Sequence, residues 1–163
     1  MNNHVVVSVL DNGLWKELPR YESATASGLD VKTHLSRYSV EALRGIPGDK
    51  FHVIGDADGI RISIEPHGRF LFPTGLKVAI PVGKELQVRP RSGLALKQGI
   101  TVLNSPGTID SDFRGEIGVI LINTSDKDVV IKDGERIAQL VLAPVEHLRW
   151  DIVTELPNTA HVS

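Results

Sequence analysis

Short β-branched apolar runs, each closed off by glycine, proline, asparagine or aspartate, recur along the whole chain. They read HVVVSVL, GLKVAI, LQVR, GITVL, EIGVILI, DVVIK and IAQLVLA. Runs this short suit strands rather than helices, and the 15 glycines and 9 prolines break them at fairly regular intervals. An all-β sandwich or barrel is the architecture this rhythm predicts. LQVRP alternates cleanly, with Leu86 and Val88 on one face and Gln87 and Arg89 on the other. EIGVILIN is apolar nearly throughout, which predicts a strand buried on both faces. One segment reads as helical: Ser92 is placed to cap a turn or two through Leu94, Ala95, Leu96 and Lys97, ended by Gly99.

At 163 residues the chain has room for one domain with a sizeable core, taken as 1–154. Two regions break the rhythm. Residues 36–68 hold SRYSVEALRGIPGDK, with a helical turn around Val40 to Arg44, and then FHVIGDADGIRISIEPHG. The latter reads as a hairpin, FHVI and IRISI joined by GDADG. The tail 155–163, ELPNTAHVS, has no apolar periodicity and is expected to be mobile.

The chain has 18 Lys+Arg against 20 Asp+Glu, a net charge of −2, and so carries no polybasic signature for nucleic acid or anionic membrane. With no cysteine, disulfide scaffolds, thiolate zinc sites and thiol chemistry are excluded. The run from Val5 to Leu10 is too short to span a membrane and lacks a basic flank, so a cytoplasmic protein is expected. No GxxxxGK[ST], GxGxxG or GxSxG occurs, and the six histidines lack metal-ligand spacing.

Four clusters remain. In PRSGLALKQG, Arg91, Ser92 and Gly93 fall where a strand gives way to a helix, and guanidinium, hydroxyl and free N–H groups make an oxyanion cradle. An ordinary serine cap beside an exposed arginine is the alternative. VLNSPGTIDSDFRGEIGV is dense in turn formers: Asn104 could read a base edge, and Asp110, near Ile109 and Phe113, could be a partly buried general base. A plain hairpin loop is equally compatible. In ASGLD, Asp30 reads either as a turn acid or as a site acid. Gln139 is the one polar residue in IAQLVLA and needs a partner when buried, structural or functional.

Taken in this order, ASGLD, PRSGLA, GTIDSDFRGEIGVILIN and GERIAQLVL closely resemble the first four conserved segments of the trimeric dUTP pyrophosphatase (dUTPase) family. The resemblance extends through PTGLKVAIPVG and KQGITVLNSPG and covers most of residues 18–145. It implies a distorted antiparallel or mixed, jelly-roll-like β-barrel with one short helix, assembled as a homotrimer. It also implies Mg²⁺-assisted attack of water on the α-phosphorus of dUTP, giving dUMP and pyrophosphate. By the same resemblance Arg91, Ser92 and Gly93 hold the triphosphate, and Asn104 recognises uracil with the backbone of Gly107, Thr108 and Ile109. Asp110 resembles the base that deprotonates the attacking water. Phe113 takes the place of the family's usual tyrosine beneath the sugar. Gln139 resembles the glutamine that reaches phosphates and water, and Asp30 the acid that supports the arginine and the metal shell. The metal itself is expected on phosphates and water rather than on protein ligands, and sites are expected between subunits.

Two departures stand out. Residues 36–68 look longer than the family's compact connector and are expected at the periphery. Family members usually follow an ELxxTA-like stretch with an Arg/Gly-rich lid, whereas ELPNTA here runs into HVS, so weakened catalysis is expected. Two other functions compete. A dCTP deaminase would share the fold and a PRSxL cradle but needs a glutamate where Ile120 stands. A non-catalytic nucleotide-binding or sensing trimer would keep the site without turnover.

Overall fold

The computed structural model describes residues 4–13 and 18–160. The short apolar runs become strands β1 (Ser8–Val9), β2 (Leu29–Lys32), β3 (Gly48–Asp56), β4 (Gly59–Pro73) and β5 (Val78–Ala79). They continue as β6 (Lys84–Arg89), β7 (Ile100–Val102), β8 (Gly107–Ile109), β9 (Gly118–Asn123), β10 (Val129–Lys132) and β11 (Arg136–Pro144). Helices α1 (Val40–Arg44) and α2 (Ser92–Gln98) and a 3₁₀ turn at Leu35–Arg37 are inserted between them. His161 and the end of the expected tail, 161–163, lie outside the described residues.

Strands β2, β11, β6 and β8 form one sheet in that order. A second sheet runs β10-β4-β9-β7 with β3 on β4, and β1 pairs β5 as a separate ribbon. All pairings among the described residues are antiparallel, so the parallel contacts of a mixed sheet do not occur there. The sheets stay open rather than closing into a barrel. Their apolar faces share one core: Val31, Leu86, Val88 and Leu140 from the first meet Ile62, Phe70, Phe72, Val119 and Leu121 from the second. Phe70 packs tilted on Phe51 at 4.7 Å and edge-on to Phe72 at 4.8 Å. Truncating a buried phenylalanine of this kind to alanine costs about 3–5 kcal/mol.

The alternation read in LQVRP holds: Leu86 and Val88 are buried while Arg89 is exposed. β9 differs from the expectation of a strand covered on both faces. Val119, Leu121 and Asn123 are buried, but Gly118, Ile120 and Ile122 are only half-buried, because β9 lies between β4 and β7 with its second face outside the shared core. Asn123 turns inward without a stranded polar group. Its Nδ2 donates to the carbonyls of Ile64 and Lys127 at 2.9 and 2.6 Å, and its Oδ1 accepts from Ser125 N–H and Oγ–H at 2.9 and 2.7 Å.

The hairpin within 36–68 forms in the register its sequence suggests, with Val53 opposite Ile62 and Asp56 opposite Gly59. Only part of this segment is peripheral. β3 is an edge strand, but β4 lies inside its sheet with Ile62 and Ile64 fully buried. The helical turn expected there is α1, whose Ala42 N–H donates to Ser39 Oγ at 3.1 Å. A second tether ties the segment to the body: Tyr38 Oη donates to Glu116 at 2.6 Å.

Candidate functional site

The site is laid out by strand register. On β11, Gln139 faces Asp30 of β2 on one side and Arg89 of β6 on the other. Residues directly opposite share a face, so these three side chains form a row about 10 Å long, two strand spacings. Beyond Arg89 the strand reaches Pro90, and α2 begins. The residue in the N-cap position is Arg91, with extended backbone (φ −91°, ψ 127°), and not Ser92 as the sequence suggested. The helix begins one residue earlier than expected, with Ser92 already in its first turn, so the Ser92 hydroxyl is not used as a cap. Gly99 ends α2 in the left-handed conformation (φ 66°) that glycine adopts without strain.

The guanidinium of Arg91 is held from two sides. Its Nη2 lies 3.4 Å from Asp30 Oδ2, and its Nη1 donates to the Arg136 carbonyl at 3.3 Å. Arg136 reaches the same Asp30 oxygen at 3.5 Å and Glu22 at 3.1 Å. Arg136 was not singled out from sequence, and its spacing explains why. Three residues apart on a regular strand, Arg136 and Gln139 would face opposite ways. The register slips between Arg136 and Ala138: Arg136 pairs with Lys32, yet Ala138 pairs with Val31. That extra residue leaves Ile137 and Ala138 both buried and turns Arg136 back toward Asp30.

Gln139 has the partner its isolation in an apolar strand demanded. Its Nε2 donates to the Pro90 carbonyl at 3.0 Å, one residue ahead of the cradle. An open groove of about 450 Å³ follows, lined by Gln87, Arg89, Pro90, Ser92, Ser105, Pro106 and Gln139. Its far wall is the loop before β8, which pairs with β6 through Leu86–Ile109, Gln87–Thr108 and Val88–Gly107. Along the groove's wall Arg89 donates through Nη2 and Nε to Gln87 Oε1, at 2.7 and 3.1 Å. Gly93 faces open space.

Asp30, Arg91, Ser92 and Gln139 are thus gathered by one chain. Asn104, Asp110 and Phe113 form a second group on the loops either side of β8, and no hydrogen bond or ion pair joins them to the first group among the described residues. Asp110 is exposed, not partly buried as the sequence suggested, because its loop projects past the end of β8. Its carbonyl accepts from Phe113 N–H at 3.1 Å, which closes a tight turn. Phe113 is 40% exposed and lies over Gly115, where a Cβ would come within 2.7 Å of its ring. Arg114 braces the turn through the carbonyls of Ser111 and Phe113 at 2.7 and 3.1 Å.

The dUTPase family model matches residues 60–163. A deoxyuridine 5′-triphosphate nucleotidohydrolase of Desulfotalea psychrophila is 51% identical over 142 residues, 87% of this chain and 79% of the relative. The chain belongs to the dUTPase family. Among solved dUTPases, a mutant from Staphylococcus bacteriophage 80alpha with dUpNHpp superposes with a TM-score of 0.69 at 20% identity. That match covers 95% of this chain and 92% of the other. A mutant dUTPase of phage phi11 of S. aureus, described with a structural Mg(II) ion, gives 0.68 at 18% identity over 94% and 100% of the two chains. These two likenesses extend the shared fold across nearly the whole chain.

Proposed function

We propose that the chain hydrolyses dUTP to dUMP and pyrophosphate by Mg²⁺-assisted attack of water on the α-phosphorus, in a homotrimer whose sites form between subunits. The observation that carries this reading is the convergence of Asp30, Arg91 and Gln139 from three distant stretches of sequence onto one end of one sheet. Family membership supplies the substrate class.

In this reading Arg91, Ser92 and Gly93 bind the triphosphate, with Asp30 and the Arg136 carbonyl fixing the guanidinium's orientation. Gln139 uses one amide hydrogen on Pro90 and keeps its second for the groove. A triphosphate carries about four negative charges, while both site arginines are already paired with carboxylates. No group of three His, Asp or Glu side chains among the described residues could cage a bare cation. A hard ion would therefore arrive on the phosphates and be completed by water, with Asp30 placed to support that hydrated shell. When bound, Mg²⁺ would supply the neutralising charge the chain lacks.

Asn104 and the backbone of Gly107 to Ile109 would take the uracil, and Phe113 the deoxyribose. Asp110 would hold the attacking water and accept its proton. With no hydrogen-bond or ion-pair partner for its carboxylate among the described residues, Asp110 fits a carboxylate that serves a neighbouring protomer's cradle. Exposed apolar side chains support assembly: Leu148, Trp150, Ile152 and Leu156 stand 71–95% exposed on a stretch without helix or strand.

The deciding experiment is pyrophosphate release from dUTP with Mg²⁺, with dCTP, dTTP and UTP as competitors and sedimentation on the same sample. Hydrolysis of dUTP by a trimer supports the proposal. Tight dUTP binding without release would favour a nucleotide sensor, and a monomer with full turnover would refute sites between subunits. Ammonia from dCTP would indicate deamination, but Ile120, across from Leu71 on β4, puts no carboxylate on β9 for that chemistry.

A further inference from the structure

Gly28 immediately precedes β2 and shares a face with Asp30, two residues on. Asp30 sits directly across from Gln139, which makes Gly28 the diagonal neighbour of the same glutamine. Its φ is not in the left-handed region, so the backbone does not require glycine there. Space does. A Cβ at position 28 would lie 2.6 Å from Gln139 Oε1 and 3.3 Å from both Gln139 Cβ and Val141 Cγ2. The first of these is closer than real Cβ atoms approach any neighbour.

The glutamine cannot swing away without consequence. Its Nε2 bond to the Pro90 carbonyl is, among the described residues, the one side-chain hydrogen bond to the residue that separates β6 from Arg91. Displacing Oε1 rotates or lifts the carboxamide, which breaks that clamp, withdraws the second N–H from the groove, or does both. Asp30 stands on the same flank as Gly28, with its carboxylate already committed to Arg91 and Arg136, and Arg89 of β6 occupies the opposite flank.

We infer that Gly28 is a positioning residue for the cradle: its missing side chain seats the Gln139 carboxamide on the Pro90 carbonyl and so sets the turn that presents Arg91 and Ser92. This rests on the proposed dUTP hydrolysis for its kinetic consequence, though not for its geometry. It also gives Gln139 two simultaneous tasks, fastening the turn with one hydrogen and facing the ligand with the other.

The test compares wild type, Gly28→Ala, Gln139→Ala and the double variant. Misplacing a binding group by about an ångström costs on the order of 10²-fold in rate. Gly28→Ala should therefore lower kcat on dUTP at least about tenfold while KM stays within about threefold. On the Gln139→Ala background the same alanine should change kcat less than about twofold, because the atom it would strike is gone. Independently of activity, the Gln139 side-chain NH₂ resonances, assigned by their loss in Gln139→Ala, should shift in Gly28→Ala. Unchanged kcat with unchanged NH₂ signals, or equal losses on both backgrounds, would overturn the inference. Should Gly28→Ala unfold, the double variant should still melt with Gln139→Ala, and its failure to do so would overturn it too. A wild type inert on dUTP would remove the proposed function and leave the resonance arm to decide.

Discussion

Replacing Tyr38 with phenylalanine removes one oxygen and tests how the 36–68 segment is fastened to the loop between β8 and β9. Tyr38 Oη donates to Glu116 at 2.6 Å, and Glu116 lies one residue past Gly115, the residue under the Phe113 ring. Hydrogen bonds to a carboxylate contribute about 1.5–3 kcal/mol when shielded, and this one is only partly buried, so about 1–2 kcal/mol is expected. The phenol's titration gives a second handle. Burial, then the Glu116 hydrogen bond and charge, push Tyr38 up from 10.0 to about 12, against a weaker pull from Arg37. A pKa raised on folding means the protonated phenol's contribution is fully present below pH ~10 and is lost as pH rises through about 12. Thermal unfolding at fixed protomer concentration should show Tyr38→Phe melting about 2–8 °C lower at pH 7, given about 2–4 °C per kcal/mol for a chain of this size. The gap between the two proteins should narrow from pH 10 to 12, because the subtraction leaves only what the Tyr38 hydroxyl contributes. Melting points within 1 °C of each other at pH 7, or a gap that stays constant to pH 12, would refute the reasoning.

Two further outcomes are expected. Asp110→Asn should cut pyrophosphate release by about 10²- to 10⁴-fold while calorimetry still detects dUTP binding, whereas turnover within threefold of wild type would remove Asp110 as the base. Asn123→Ala should destabilise the fold by about 2–3 kcal/mol in urea titration, because it strands the buried Ile64 carbonyl and removes the partner of the half-buried Ser125 N–H, and a loss below 1 kcal/mol would show that water or a shifted strand replaces those bonds.

The strands and the β3–β4 hairpin were readable because each needs only local information: alternation in LQVRP, turn formers in GDADG, a glycine after the helix. The assignment of Asp30, Arg91 and Gln139 to one site came from the ordered family resemblance, and strand register brings the three together. What stayed hidden depends on register or packing. Arg136 joins the site only because the slip before Ala138 reverses its direction, and no pattern of apolar residues in ERIAQ announces that. Gly28 carries no signal of its own in ASGLD until the carboxamide that fills its vacancy is located. The helix starts at Ser92 rather than after it because Ser92 itself turns helical and leaves Arg91 as the extended N-cap, a backbone choice the residue types leave open. Asp110 looked half-buried next to Ile109 and Phe113 because sequence neighbours do not reveal that the loop projects.

The row Asp30–Gln139–Arg89 has a thermodynamic consequence. Its members are contributed by three strands that meet only after both ends and the middle of the chain have come together. A partly assembled chain has no such row and is blind to the anion it would grip. Any ligand spanning it therefore acts as a clasp on the completed molecule, and its occupancy should raise the melting temperature of the whole body rather than of one loop.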